Sequence, residues 1–289
     1  MPAKPFVITP ASSASNEQLV SNMTYNMDTI PVWFERCKKN NGKALIFSAG
    51  PSTKVFLRDY KHLIKDYDAV FCIKHALPLL IDAGIEPDFC VVLDPRSIDN
   101  ISTLGHKRSE LYDKATKKTT FFVASMTHTS VTKHLMEKGY NVVGWQALTP
   151  EMQSLPNEYK KRILSGPNGI SITGGTSSGT RTIELSFYMG FTRATVVGFD
   201  SSFEKPKPTN IKDRKGKMKF MKIEVNKRPF WTTGELIAQA QDFERFVKNP
   251  KLSTDLTVFD TGLESSLVNE IVRTAGNQTV GRIEWKKYK

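Results

Sequence analysis

The sequence predicts an α/β chain of the Rossmann-like class, a mostly parallel sheet with helices on both faces. Three observations predict it: short continuous apolar runs, helical stretches between those runs, and glycine-containing turns where a run passes into a helix. Strands buried on both faces read as unbroken apolar runs rather than alternating ones. Alternation of strand and helix implies right-handed parallel crossovers, with ligands gathering at the carboxyl ends of the strands.

Residues 1 to about 20, with Pro2, Pro5, Pro10 and a serine-rich run at 12–15, read as a loosely packed lead-in that contributes no core. A helix is expected over 22–40, with Pro31 breaking it or starting a turn and Gly42 at its stop. The apolar runs 44–48, 69–73, 89–93, 120–124, 141–145 and 194–199 are the strands, about six in one sheet. Helices are expected from near Ser52, over 77–83, around 130–138 and over 180–189. Between 204 and 228 the composition changes, with ten Lys or Arg against Glu204, Asp213 and Glu224. Residues 218–225 and 228–232 there suit a hairpin about Asn226-Lys227, although that turn lacks the usual glycine. A helix over 233–248, a strand at 256–259 and a helix around 263–273 follow. The organisation expected is an N-terminal arm and helix (1–40), a nucleotide-binding core (41–203), and a basic insertion with a small C-terminal extension completing the same domain (204–289).

The formal charge is +12, from 41 Lys and Arg against 29 Asp and Glu, which favours an anionic partner: a nucleotide, a nucleic acid or an acidic surface. Cys37, Cys72 and Cys90 are an odd number without a CxxC pair, arguing against a disulfide framework and against a thiolate zinc site. Cys72 and Cys90 lie in apolar runs and read as small buried hydrophobes. No stretch approaches the ~20 apolar residues of a membrane span, and residues 1–9 lack the apolar region of a signal peptide. A soluble, cytoplasmic protein is the expectation.

Two segments suit phosphate. Ser48-Ala49-Gly50-Pro51-Ser52 ends a buried strand and opens a helix, where backbone N–H groups and the helix dipole attract anions. Gly50 permits close approach, Pro51 suits the first helical turn and Ser52 can cap or donate. Gly174-Gly175-Thr176-Ser177-Ser178-Gly179 offers amides and hydroxyls before another helix. The plain alternative in each case is an ordinary turn, since neither the GxxxxGK[ST] nor the GxGxxG spacing is present. Asp94 and Asp200 follow strands, where a carboxylate can hold a cation, bind ribose, act as a base or merely shape a turn. Lys74 and His75 stand just past the second strand, and Arg96 just past Asp94. The five histidines form no HExxH-type metal pair.

Three blocks carry a family resemblance: 45–52 (LIFSAGPS); Gly84-Ile85-Glu86-Pro87-Asp88 leading to Val92-Leu93-Asp94-Pro95; and Thr176-Ser177-Ser178-Gly179 through Tyr188-Met189-Gly190-Phe191 to Val197-Gly198-Phe199-Asp200. In order and spacing they resemble a superfamily with two groups. One holds the 6-hydroxymethylpterin pyrophosphokinase-like domains, also found in motility accessory factors; the other holds bacterial sialyltransferases that use CMP-sialic acid. The resemblance implies a transferase whose Gly50-Pro51-Ser52 and Thr176-Ser177-Ser178-Gly179 turns contact the donor nucleotide, with Lys74 and Asp94 at the positions that also reach it; His75 and Arg96 are expected beside the donor from their place at the strand ends. Lys74 and Asp94 stand where the sialyltransferase group has asparagines. That group also uses a histidine base in its C-terminal part, whereas this chain has no histidine after His134. Asp94 or Asp200 would then serve as the base. The pterin group uses ATP and Mg2+, and on that reading Asp94 is the metal ligand.

The function expected is a nucleotide-sugar-dependent glycosyltransferase (UDP- or CMP-sugar donor) with a nucleic-acid acceptor, concretely a hydroxymethylated pyrimidine base in DNA. Lys215, Lys217, Lys219 and Arg228 would track the backbone and Trp231 would stack on a base. The alternatives are an ATP- and Mg2+-dependent diphosphotransferase acting on a hydroxymethylpterin-like heterocycle, and a non-enzymatic nucleic-acid-binding protein with a degenerate nucleotide pocket.

Overall fold

The computed structural model describes residues 14–101, 107–166, 169–175, 177–204, 220–247, 255–275 and 283–287. Its strands are β1 (Lys43–Phe47), β2 (Ala69–Ile73), β3 (Phe89–Val92), β4 (Thr120–Ala124), β5 (Asn141–Ala147), β6 (Ser171–Ile172), β7 (Arg193–Val197), β8 (Met221–Val225), β9 (Arg228–Thr232), β10 (Asp255–Asp260) and β11 (Ile283–Lys287). Nine of them form one sheet in the order β11-β10-β7-β1-β2-β3-β4-β5-β6. Every neighbouring pair in it is parallel. β8 and β9 form a separate antiparallel hairpin.

The nine strands exceed the six or so read from apolar runs. Besides β10, expected separately at 256–259, the additions are β6, which is two residues long, and β11, whose sequence IEWKK has three charged residues in five. Neither presents the apolar run that signals a strand buried on both faces.

The chain lays down β1 to β6 in one direction, then returns to the other side of β1 for β7, β10 and β11. Right-handed crossovers put the helices of these two halves on opposite faces. Packing agrees. On one face α2 (Pro51–Asp59), α3 (Leu77–Asp82) and α4 (Thr129–Glu137) bury Phe56, Leu80 and Leu135 among Leu45, Phe47, Cys72 and Val123. On the other, α6 (Ser178–Tyr188), α7 (Gly234–Val247) and α8 (Leu267–Ala275) bury Ile183, Phe243 and Val268 among Ala44, Ile46, Phe71 and Val196. Alternate residues of β1 thus feed two cores, as the period-2 pleat requires. α5 (Asn157–Leu164) lies between β5 and β6.

The N-terminal reading needs correction. α1 spans Asn16–Thr29, and its Leu19 and Met23 are buried with Val91, Phe122 and Trp145. Ser15, the last serine of the run, is the N-cap, its side chain accepting the Gln18 N–H at 3.2 Å; residues 1–13 lie outside the described residues. The helix has ended before Pro31, so the expected start at 22 was late and the expected end at 40 too far. Trp33 instead bridges Gly144 of β5, where a Cβ would come 2.8 Å from the indole ring.

The hairpin about Asn226-Lys227 is present, and both turn residues take left-handed backbone, φ 51° and 64°. Cys72 and Cys90 are buried register partners on β2 and β3, and all three cysteines are free. Among the described residues no helix is long and apolar enough to cross a membrane.

Candidate nucleotide site

The topology reverses between β1 and β7, and in open α/β sheets the crevice at such a reversal, at the strands' carboxyl ends, is where ligands bind. Beyond β1 the chain turns into α2 with Pro51 at the first helical position and Gly50 as an N-cap that has no side chain to offer. The turn is stitched to the residues after β7. Ser48 N–H donates to Val197 O (2.8 Å), Gly50 N–H to Gly198 O (2.9 Å), and Gly198 N–H to Ser52 Oγ (3.1 Å). A Cβ on Gly50 would overlap the Asp200 carboxylate and the Gly198 carbonyl, so glycine is required by this approach.

Asp200 sits under that turn, 1% exposed, and its Oδ2 accepts the Ser52 N–H at 2.8 Å. The first turn of α2, expected as a phosphate seat, therefore already holds a carboxylate. The same dipole and free N–H groups that favour phosphate favour an aspartate. Burial raises the Asp200 carboxyl above its ordinary value, opposed by the Ser52 N–H.

The second turn leaves β6 with Gly174 and Gly175 at φ 116° and 72° and enters α6. Ser177 caps that helix, its Oγ accepting the Thr180 N–H at 3.1 Å. Arg181 donates through Nε to Gly175 O (2.9 Å), through Nη1 to Ile172 O (2.7 Å) and through Nη2 to Leu148 O (3.2 Å). One guanidinium fork thus ties the turn to the ends of β5 and β6. Burial lowers Arg181 to about 10, opposed by Asp242 and Glu151. A Cβ on Gly179 would come 2.6 Å from the Phe199 ring. The tripeptide Gly198-Phe199-Asp200 is therefore touched by both turns: Gly198 and Asp200 meet Gly50, and Phe199 meets Gly179. Thr176 lies outside the described residues; Ser177, Ser178 and Gly179 are at this edge.

Next along the sheet, Lys74 follows β2 and Asp94 follows β3. Lys74 Nζ and Arg108 Nη1 both donate to Asp94 Oδ2, while Arg96 donates to Oδ1 through Nε (2.8 Å) and through its backbone N–H (3.2 Å). Lys74, Asp94 and Arg108 are 5%, 1% and 2% exposed, and Arg96 forms the open lip. Burial opposes the charged form of Asp94, but Lys74, Arg96 and Arg108 together outweigh it and hold the carboxyl well below the usual carboxylate range. Burial also lowers Lys74, with Asp94 opposing, to about 8. Burial first, then the Lys74 charge, holds the half-buried His75 ring well below its ordinary value, so it is neutral at pH 7.

Residues 17–206, more than half the chain, match the family model described as "6-hydroxymethylpterin diphosphokinase MptE-like". The chain belongs to the MptE-like family. Among solved structures, the MptE-like chain is similar to the MAf glycosyltransferase from Magnetospirillum magneticum AMB-1, with a TM-score of 0.57 and 12% identity over 84% of this chain. That identity shows a shared fold alone. The match covers 36% of the larger protein. No curated protein matches the chain. The family and the fold together make the protein a Rossmann-like transferase relative.

Of the residues expected to meet nucleic acid, Arg228 and Trp231 are described. Arg228 forms an ion pair with Glu270 (2.8 Å) and donates to Glu264 O (3.0 Å), so it holds the hairpin to α8. Trp231 is half-buried and bridges Phe203. Lys215, Lys217 and Lys219 lie outside the described residues. Two residues at the edge were missed by sequence reasoning. Arg108 stands in an irregular segment with no motif around it. His128 follows β4, and its N–H donates to Asp94 O at 2.8 Å. Its Nδ1 accepts the Ser130 N–H (3.2 Å) and caps α4. A histidine just past a strand was the available signal.

Proposed function

We propose that the protein is a nucleotide-sugar-dependent glycosyltransferase whose donor lies in the crevice between the Gly50 and Gly179 turns and reaches along the sheet edge to Lys74. The observation that carries this reading is the commitment of the two strand-end carboxylates. Asp94 is held by three cations and Asp200 by the Ser52 N–H. Diphosphate transfer from ATP uses Mg2+, which needs oxygen ligands in near-octahedral array. An ion at Asp94 would have to displace Lys74 and Arg108, and among the described residues no cluster of three His, Cys, Asp or Glu stands ready for a metal. The residues of this edge do not fit the ion. They suit a donor whose leaving group is stabilised by protein cations and backbone N–H groups. On this reading Asp94 and Asp200 position the site rather than exchange protons.

The acceptor side of the proposal rests on charge. A net +12, with ten basic residues between 204 and 228, favours a polyanionic acceptor, and a hydroxymethylated pyrimidine in DNA supplies the hydroxyl. Calorimetric titration with UDP-, CMP- and adenine nucleotides, with and without Mg2+, tests the donor. A UDP- or CMP-sugar should bind in EDTA. Tight Mg2+-dependent ATP binding with no response to either sugar nucleotide would replace glycosyl transfer with diphosphate transfer. For the acceptor, a hydroxymethylated oligonucleotide should gain the mass of one sugar, and its binding should weaken steeply with salt.

A further inference from the structure

We propose that Lys74, Arg96 and Arg108 form a metal-independent seat for a doubly charged phosphoryl group, with Asp94 as the strut that holds the three cations together. The inference rests on the nucleotide-donor reading only for the ligand's identity: it would be the phosphate that leaves with the nucleoside.

Among the described residues three cations face one carboxylate, which leaves two positive charges without a described counter-charge in a cluster where Lys74, Asp94 and Arg108 are each at least nine-tenths buried. Buried charges persist only when they are paired and hydrogen-bonded. Asp94 is the carboxylate acting on both Lys74 and Arg108; Arg96 adds repulsion to each. A dianion neutralises the excess and a monoanion does not.

Hydrogen bonding points the same way. Arg108 Nε is a buried donor with no partner among the described residues, and His75 Nδ1, one residue past Lys74, is likewise unpartnered. Arg96 uses Nε and its backbone N–H on Asp94, and its terminal nitrogens have no acceptor among the described residues. A guanidinium presents five donors in a fixed fork that suits phosphate oxygens, so two arginines and a lysine leave donors to spare after one carboxylate is served. The alternative anion seat on this edge, the N-terminus of α2, is filled by Asp200. A phosphate arriving at the crevice thus finds its open donors at the ends of β2 and β3.

The test uses the full chain in EDTA, titrated calorimetrically with pyrophosphate, UDP and CMP, alongside Arg96→Gln and Arg108→Gln. Arg96 is on the open lip, so Arg96→Gln folds even where Arg108→Gln fails to. Pyrophosphate and the nucleotides should bind without metal, and each variant should weaken them about tenfold or more, the worth of one charge-assisted contact. Asp94→Asn leaves the cations more repulsive, so phosphate should raise its melting temperature by more than it raises that of the parent. A requirement for Mg2+, or unchanged binding in Arg96→Gln, overturns the seat. If the nucleotide sugar still binds normally in Arg96→Gln, the donor reading survives and the seat falls. If pyrophosphate binds and weakens as expected while no nucleotide sugar is bound, the seat stands and the donor reading falls.

Discussion

The carboxylate of Asp200 accepts the N–H of Ser52 at 2.8 Å, so the N-terminus of α2 is capped by a side chain from beyond β7 rather than by its own Gly50. This bond takes up the first N–H that α2 offers, since Pro51 has none.

Asp200→Ala should lose about 1–3 kcal/mol of stability, because a buried N–H is left without an acceptor. Asp200→Asn keeps an acceptor and should lose far less. Burial raises the folded-state pKa of Asp200 above its unfolded value of about 3.9. The native state therefore holds this proton more tightly, and this group's contribution falls as pH rises from the unfolded value through the folded one. Denaturant melts of the parent and Asp200→Asn across that window should show the slope in the parent alone.

Gly50→Ala should spring the turn. The added methyl overlaps the Asp200 carboxylate and the Gly198 carbonyl, neither of which is the loose end of a long side chain. Overpacking of this kind costs about 1–3 kcal/mol. Nucleotide affinity should fall by more than stability does, as read by calorimetry on the folded fraction.

Binding of UDP should weaken as pH rises through about 8, where Lys74 loses its proton and the seat its third positive charge. Below that pH the lysine is charged. Lys74→Arg, with a side chain that stays charged, should remove the fall. A titration series from pH 6.5 to about 9.5 reads it directly.

Lys227→Gly should stabilise the protein by roughly 0.5–1 kcal/mol, since Lys227 holds a left-handed φ of 64° that glycine adopts without steric cost. Arg228, its neighbour, should be left alone in that comparison because it pairs with Glu270. Chemical denaturation of the two chains is sufficient.

Much of the sheet was legible because strands covered on both faces must be apolar throughout: Ala44, Leu45, Ile46 and Phe47 are all fully buried. The two glycine turns were legible as strand-to-helix junctions because small residues after an apolar run mark where a helix can start. What escaped depends on partners distant in sequence. Nothing local to Ser52 says that Asp200 will take its N–H, and nothing local to Arg108 says that it will point at Asp94. Arg228 shows the reverse error, since a basic residue in a basic segment reads as a surface charge until Glu270 of α8 comes into view. At the N-terminus, a serine-rich run looked like slack when the last of its serines, Ser15, was a cap.

The pairing of β1 with β7 also governs when the crevice can exist. Its two walls are separated by about 150 residues, and β7 joins the sheet only after all of β2 to β6 have been made. During synthesis the Gly50 turn emerges early and must wait, with Ser52 uncapped, until Asp200 has left the ribosome. A truncated product ending before residue 193 would keep every apolar strand from β1 to β6 yet leave one edge of β1 unpaired. Such a fragment would be prone to associate through that edge.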